Sequence, residues 1–235
     1  MAVELDALDE TDPEEELRPE EAGPNFNVAP TTKVLTLVQR HDRGHTDDAA
    51  RRRIRRMRWG LVPHFTKPAE PGVPAKGKPL FNARADKAAT TPAFRDALKF
   101  KRCLVPMDGW YEWLTADDGP KTPFFMTAQP RLYVAGLWSV WRDGSAPPLL
   151  SCTILTVDAV GDLQRVHDRM PFVLPEARWD SWLDPDDKQP EMHPPSAADV
   201  ADIEIRPVSP AVNSVKNNAP ELLDRVDPDS KLSLF

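Results

Sequence analysis

The chain has 235 residues, of which 40% are hydrophobic and 29% charged, and it contains 26 prolines. A chain of this length can bury one sizeable core, and its proline and glycine content stays below that of low-complexity sequences. No apolar run approaches the roughly 18 residues of a transmembrane helix, no signal peptide is recognisable, and two cysteines do not build a disulfide framework. These features predict a cytoplasmic globular protein and exclude a membrane protein, a secreted disulfide-rich scaffold and a coiled coil.

The net charge of −7 is unevenly distributed along the chain. Residues 1–22 hold ten carboxylates against one arginine, and such an acidic run cannot bury enough apolar surface to offset its loss of conformational entropy. We therefore predict a disordered acidic segment over residues 1–22, followed by one domain over residues 23–235.

A basic segment lies at residues 51–58, where six of eight positions are arginine. Such a cluster suits contacts with phosphate groups, and a solvated edge strand or an arginine-rich turn is the alternative. The acidic segment could also fold back on this basic face and compete with DNA for it.

The hydrophobic pattern predicts many short strands and few helices. Strands are predicted, in chain order, over residues 33–40, 102–106, 110–114, 123–128, 132–141, 151–157 and 203–208. The proline- and glycine-rich composition of residues 66–79 predicts a loop. Thr91 and Pro92 are typical of the start of a short helix. Residues 176–183 fit an amphipathic helix. Because strands and helices do not alternate regularly, we predict a single α+β domain with a mixed, largely antiparallel, barrel-like β core.

Three apolar segments contain polar side chains that need a reason to be there. Asn82 follows the predicted loop, Glu112 lies between two large aromatic residues, and His167 precedes an apolar run. A glutamate in such surroundings can have a raised pKa and transfer protons, while histidine and asparagine side chains can hold or polarise an oxygen. These three residue types recur by chance in many proteins, so their spacing alone also fits a purely structural role.

Metal and nucleotide sites have no support in the sequence. The five histidines lack the spacing of metal ligands, and no phosphate-binding loop or dinucleotide fingerprint is present. Cys103 and Cys152 fall in apolar strand segments, where small buried thiols are ordinary core residues. A Cys/His protease centre is therefore disfavoured, and we expect neither a metal nor a small-molecule cofactor.

Eight segments, taken in order, resemble the SRAP family of SOS-response-associated peptidases, or abasic-site processing proteins. They are residues 24–30 (PNFNVAP), 58–63 (RWGLVP), 82–86 (NARAD), 102–113 (RCLVPMDGWYEW), 135–138 (AGLW), 151–157 (SCTILTV), 167–171 (HDRMP) and 208–217 (VSPAVNSVKN). Any one of these segments is only suggestive, but eight in order are specific. Asp86 is the one position in these segments where the family more commonly has Glu.

The resemblance implies a monomeric protein that binds single-stranded DNA carrying an abasic site. Family members join an N-terminal cysteine, exposed by removal of the initiator Met, to the ring-opened sugar aldehyde. A Schiff base forms first, and the thiol closes it to a thiazolidine crosslink. By this resemblance Asn82 would position or polarise the sugar, Glu112 would move protons, and His167 would assist at the deoxyribose oxygens.

The resemblance also implies a set of DNA contacts. Arg84 would grip phosphate, and Trp59 and Trp113 would stack on bases, as aromatic residues do in single-strand binders. Pro30 and Thr156 would line the DNA channel. The protein would act in the cytoplasm, on damaged DNA in the nucleoid.

The sequence departs from the family pattern at its start. Family members begin Met-Cys-Gly-Arg, whereas residue 2 is Ala2 and the first cysteine is Cys103. We therefore expect the 235 residues to begin inside a longer reading frame, and we expect no thiazolidine from a chain without an N-terminal aminothiol. The alternatives are a non-covalent single-stranded DNA-binding protein, a protease acting on other proteins, and a purely structural domain.

Overall fold

Nine strands form one mixed sheet in the computed structural model, which describes residues 5–10, 23–42, 49–115 and 121–227. A separate two-stranded hairpin, made by the fourth and fifth strands, lies beside it. In chain order the strands are β1 (Ala7–Asp9), β2 (Lys33–Arg40), β3 (Arg51–Trp59), β4 (Pro68–Glu70), β5 (Val73–Pro74), β6 (Asn82–Arg84), β7 (Arg102–Leu114), β8 (Thr122–Trp141), β9 (Leu149–Asp158), β10 (Arg169–Pro171) and β11 (Glu204–Pro207).

The helices of the described residues are all short. The α-helices are α1 (Ala85–Ala88), α2 (Arg95–Phe100) and α3 (Trp179–Leu183), and 3₁₀ helices span Gly161–Arg165, Glu176–Arg178, Ala198–Val200, Pro210–Asn213 and Pro220–Leu223. Within the described ranges, no helix has the length and apolar character needed to cross a membrane.

The sheet closes on itself into a ring. Strand β2 pairs antiparallel with β3 and with β7, β7 pairs with β8, and β8 pairs with β9. The ring is completed by a parallel pairing of β3 with β9, in which Trp59 lies opposite Cys152. Alternate side chains of these strands point inward and fill the ring with fully buried residues such as Leu37, Leu104 and Leu155. The predicted α+β domain with a largely antiparallel, barrel-like core is therefore confirmed.

Strand β9 is apolar because it lies in the interior of the fold, with neighbouring strands along both of its edges. Residues 151–155 are all buried, as expected for a strand covered on both faces. Its two buried hydroxyl groups are satisfied: the Val62 N–H donates to Ser151 Oγ at 2.9 Å, and Thr153 Oγ1 donates to the Phe81 carbonyl at 2.9 Å. The second bond fixes the backbone immediately before Asn82.

In two places, a pair of strands that were predicted separately forms one long strand. The interruption expected near residues 106–110 is only a register shift between Met107 and Gly109 inside β7. Gly109 permits this shift, because a Cβ atom there would lie 2.2 Å from the Met126 carbonyl oxygen. Likewise, residues 123–128 and 132–141 belong to the single strand β8.

The predicted helix after Thr91 begins later than expected. Helix α2 starts at Arg95, and Thr91 does not cap it, because its hydroxyl donates instead to the Lys87 carbonyl at 2.8 Å. The helix predicted over residues 176–183 is confirmed as a 3₁₀ turn followed by α3. The loop predicted over residues 66–79 carries the small β4–β5 hairpin.

The described part of the acidic segment, residues 5–10, packs against the sheet. Leu5 is buried, and β1 pairs in parallel with β3, Ala7 lying opposite Arg52. The carboxylate of Glu10 accepts hydrogen bonds from Arg53 and from two further arginines, Arg40 and Arg55. These ion pairs thus help to hold the segment against the sheet, because the segment has few apolar side chains to bury. Residues 11–22 lie outside the described residues.

The arginine-rich segment is the inner strand β3, neither an edge strand nor a turn. Arg53 is only 6% exposed and is held by Glu10 and Asp42, while Arg52 donates to Asp180 at 2.7 Å. At a rise of about 3.3 Å per residue, the path from Arg53 along β3 and β9 to Thr156 is about 30 Å long. Carboxylate partners therefore occupy Arg52, Arg53 and Arg55. Arg53 lies at the opposite end of the ring from Thr156, whereas Arg58, opposite Ser151, lies nearer to it.

Candidate functional site

Three of the segments singled out from the sequence meet at the end of β9. The short strand β6 runs parallel to β9 and places Asn82 opposite Ile154 and Arg84 opposite Thr156. Strand β10 runs antiparallel to β9 and places Pro171 opposite the same Thr156. Thr156 therefore lies between the NARAD and HDRMP segments, although these segments are far apart in the chain.

The alternation of strand β6 sends its polar side chains outward. Ala83 is buried against the core, while Asn82 and Arg84 on either side of it are exposed. The Arg84 guanidinium binds Asp86 with two hydrogen bonds of 3.0 Å, from Nε to Oδ1 and from Nη2 to Oδ2. This pairing lowers the pKa of Asp86 and fixes the direction of the guanidinium.

Glu112 lies near the end of β7, half-buried, with charged neighbours from another part of the chain. Burial raises the pKa of its carboxyl group; His167 and the Trp113 backbone N–H oppose the rise, and Asp168 adds to it. Charge interactions of this kind act over short distances. Glu112, His167 and Asp168 therefore share one locality, and the carboxyl group keeps its proton to a higher pH than usual.

The imidazole of His167 is oriented by the backbone that follows it. The Arg169 N–H donates to Nδ1 at 2.9 Å, and Asp168 Oδ1 lies 3.1 Å from the same nitrogen. The Arg169 carbonyl oxygen lies 3.2 Å from Nδ1 as well, so all three contacts hold the ring through this one nitrogen. The side chain is 41% exposed, so Nε2 can reach a ligand.

Arg169 was not identified from the sequence, although it belongs to the same site. Its Nη2 donates to the Thr156 carbonyl at 2.6 Å, and its Nη1 donates to Asp158. The side chain is mostly buried, and its Nε has no hydrogen-bond partner in the described part of the chain. A charged residue followed by the apolar run Met170 to Leu174 was the signal available in the sequence.

The predicted base-stacking and channel residues border this site in two places. The Trp59 indole N–H donates to the Phe81 carbonyl at 2.9 Å, directly before Asn82. The N–H of Thr31 donates to the Trp59 carbonyl at 2.7 Å, and this bond holds the preceding residue, the exposed Pro30, beside Trp59. Trp113 follows Glu112 on β7.

Neither cysteine is placed to act as a nucleophile. Cys103 and Cys152 are completely buried in the ring. Burial raises the pKa of Cys152 to about 12 and holds the pKa of Cys103 well above its ordinary value. Both thiols therefore stay protonated near neutral pH and out of reach of a macromolecular substrate. Within the described residues, no group of three His, Cys, Asp or Glu side chains could hold a metal ion.

Comparisons with known proteins agree with this architecture. The family model described as "SOS response associated peptidase (SRAP)" matches residues 2–215. The chain is 35% identical over 207 residues to the abasic site processing protein YoqW of Bacillus subtilis, covering 86% of each chain. It is 34% identical over 225 residues to YoaM of the same organism, covering 93% of this chain and 92% of YoaM. A crystal structure of a phage-related protein from Bordetella bronchiseptica superimposes with a TM-score of 0.56 at 28% identity, covering 80% of this chain and 83% of that one.

Proposed function

The chain belongs to the SRAP family, and from that premise we propose that it processes abasic sites in single-stranded DNA. Relatives such as YoqW and YoaM carry the name "abasic site processing protein". The observation that supports the proposal most is the meeting of the NARAD and HDRMP segments on either side of Thr156. Glu112 lies within the range of electrostatic interaction with His167. With the exposed Arg84 opposite Thr156, the site combines a candidate for proton transfer with a cationic group for phosphate.

The proposed chemistry is the opening of the abasic sugar. Glu112, whose carboxyl pKa is raised by burial, gives a proton to the ring oxygen as the bond between that oxygen and C1′ breaks. The proton of the C1′ hydroxyl leaves to solvent, and the product is an aldehyde. The Nε2–H of His167 donates to a sugar oxygen, and the exposed amide of Asn82 donates to another.

The aldehyde then reacts with an amine of the protein. The amine adds to the carbonyl carbon and water leaves, which gives a Schiff base that borohydride reduces to a stable amine. Closure to a thiazolidine would need a 1,2-aminothiol, in which the thiol is on the carbon adjacent to the one that carries the amine. Cys103 and Cys152 are internal and buried, so neither can supply it.

The proposal is tested with an end-labelled single strand that carries one abasic site. The 235-residue protein is expected to bind it and to give a covalent adduct on a denaturing gel only when borohydride is present. Glu112→Gln is expected to slow the trapping by about a hundredfold. Binding no tighter than to the intact strand, together with no trapped adduct, would refute the function. A heat-stable adduct without borohydride would refute the argument about the missing thiol.

A second candidate function is non-covalent binding of single-stranded DNA. It is favoured by one observation, the burial of both thiols of the 235-residue chain. The two functions differ in what they require of Glu112 and His167. If the unaltered protein binds the abasic strand without a borohydride-trapped adduct, and substitutions at these residues leave its affinity unchanged, the non-covalent function holds and the proton-transfer chemistry does not.

A further inference from the structure

The indole of Trp113 is held at its polar edge by a residue from the far end of the chain. Its Nε1–H donates to Asn213 Oδ1 at 2.7 Å. The rest of the ring packs on a second, smaller hydrophobic cluster, formed by Phe125, Val208, Val212 and Leu222. The ring is therefore fixed both by packing and by a directed hydrogen bond, although it remains only half-buried.

Strand geometry separates Trp113 from the proton-transfer groups. Along β7 the side chains of Tyr111 and Trp113 pack on the second cluster, whereas that of Trp110 packs on the main core. Because side chains alternate along a strand, Glu112 points to the same face as Trp110 and away from Trp113. A DNA strand crossing the end of β7 would present its abasic sugar to Glu112 and an adjoining nucleotide to Trp113.

The backbone around Asn213 is fixed from two sides. The side-chain amide of Asn27 donates to the carbonyls of Val212 and Ser214, at 3.0 and 3.1 Å, which flank Asn213. The 3₁₀ helix that ends at Asn213 is closed by Asn217, whose amide donates to the Ala211 carbonyl at 2.7 Å. Two segments singled out from the sequence, residues 24–30 and 208–217, thus meet at the residue that holds the indole.

We infer that Asn213 is a positioning residue that fixes the plane of Trp113 as a stacking surface for the nucleobase next to the abasic sugar. The inference rests on the proposed function. Stacking on an aromatic face accepts any of the four bases, as a lesion in any sequence context requires. A ring ordered before DNA arrives loses less conformational freedom on binding, so the hydrogen bond that Asn213 accepts from Trp113 tightens the complex although Asn213 does not touch DNA.

The experiment compares two oligonucleotides and three proteins by fluorescence anisotropy. Both oligonucleotides carry a tetrahydrofuran analogue of the abasic site, and the second also lacks the bases on either side of it. The proteins are the 235-residue chain, Asn213→Ala, and the control Ser214→Ala, which changes an exposed side chain next to Asn213 and keeps the Ser214 carbonyl that Asn27 binds. Thermal melting of each protein reports whether it is folded.

Asn213→Ala is expected to weaken binding to the first oligonucleotide about threefold to tenfold. It is expected to have no effect with the second, because no neighbouring base is left to stack. Ser214→Ala should bind both oligonucleotides as the unaltered protein does. If Asn213→Ala does not fold, Asn213→Ser, which loses the same acceptor with a smaller truncation, takes its place.

Three results would overturn the inference: equal affinities of the variant and the unaltered protein, an equal loss with both oligonucleotides, or the same loss in Ser214→Ala. Each of these leaves the proposed function intact, provided that the unaltered protein binds the first oligonucleotide. If the unaltered protein binds neither oligonucleotide, it is the proposed function that fails.

Discussion

The backbone N–H of Arg169 donates a hydrogen bond of 2.9 Å to Nδ1 of His167. The Arg169 carbonyl oxygen and Asp168 Oδ1 lie 3.2 and 3.1 Å from the same nitrogen. The ring is thus held through Nδ1, and Nε2 is the nitrogen left to meet a ligand.

The first prediction follows from that orientation. His167→Ala should slow borohydride trapping on abasic DNA by about a hundredfold, as the loss of a proton-transfer or donor group does. His167→Gln should retain part of the rate, because its amide N–H lies about as far from the backbone as Nε2 does. Time courses of trapping measure both rates. Equal rates for the two variants would show that the Nε2–H is not the group used.

The second prediction concerns the stability that the folded protein loses when the buried carboxyl group of Glu112 ionises. Burial raises the pKa of its carboxyl group in the folded protein, so the folded state is favoured while the group is protonated, and stability is lost as the pH rises through the raised pKa. Glu112→Gln should therefore melt at a higher temperature than the unaltered protein at pH 8 and at the same temperature at pH 4. The exposed Glu176→Gln is the matched control, with no change at either pH. A destabilised Glu112→Gln at pH 8 would contradict the argument.

The third prediction concerns Glu10, whose pKa shifts the other way. Burial opposes its ionisation, but hydrogen bonds from Arg53 and Arg55 outweigh burial and lower its pKa. The resulting stability is present above the ordinary carboxyl pKa and is lost as the pH falls through the lowered one. Glu10→Gln should cost about 2 kcal/mol at pH 7 and progressively less in acid, as measured by urea unfolding.

A matched control for Glu10 is Asp180, which pairs with Arg52 but is 85% exposed. Asp180→Asn should cost less than about 0.5 kcal/mol, because solvent screens exposed ion pairs. Equal losses for the two variants would mean that the Glu10 network does not anchor β1.

The fourth prediction separates the two groups of arginines. Arg84 lies beside Asn82 and Thr156, whereas the exposed Arg51 begins β3 at the other end of the ring. Arg84→Gln should weaken binding of single-stranded DNA and reduce the slope of log affinity against log salt by about 0.7, the value for one phosphate contact. Arg51→Gln should leave affinity and slope unchanged. A reduced slope for Arg51→Gln would contradict this separation and would show that the arginine-rich strand contacts DNA.

The sequence alone determined the class of fold and the identity of most candidate site residues. Strand alternation and the nearly continuous apolar run of residues 151–157 predicted the barrel-like core and a strand buried on both faces, because these patterns reflect local geometry and burial on one or two faces. The same reasoning placed Cys103 and Cys152 in the core. Asn82, Glu112 and His167 were recognisable because the segments around them match a family pattern.

Only the tertiary structure decided how distant segments serve one another. The arginines of β3 looked available for phosphate until β1 brought Glu10 against them. Arg169 and Asn213 gained their roles from Thr156 and Trp113, to which they are joined only by folding. The reason is physical. A charged group or an amide is neutralised, oriented or left exposed by its partners in the fold. Strand register and ring closure bring these partners together, and neither can be read from the local sequence.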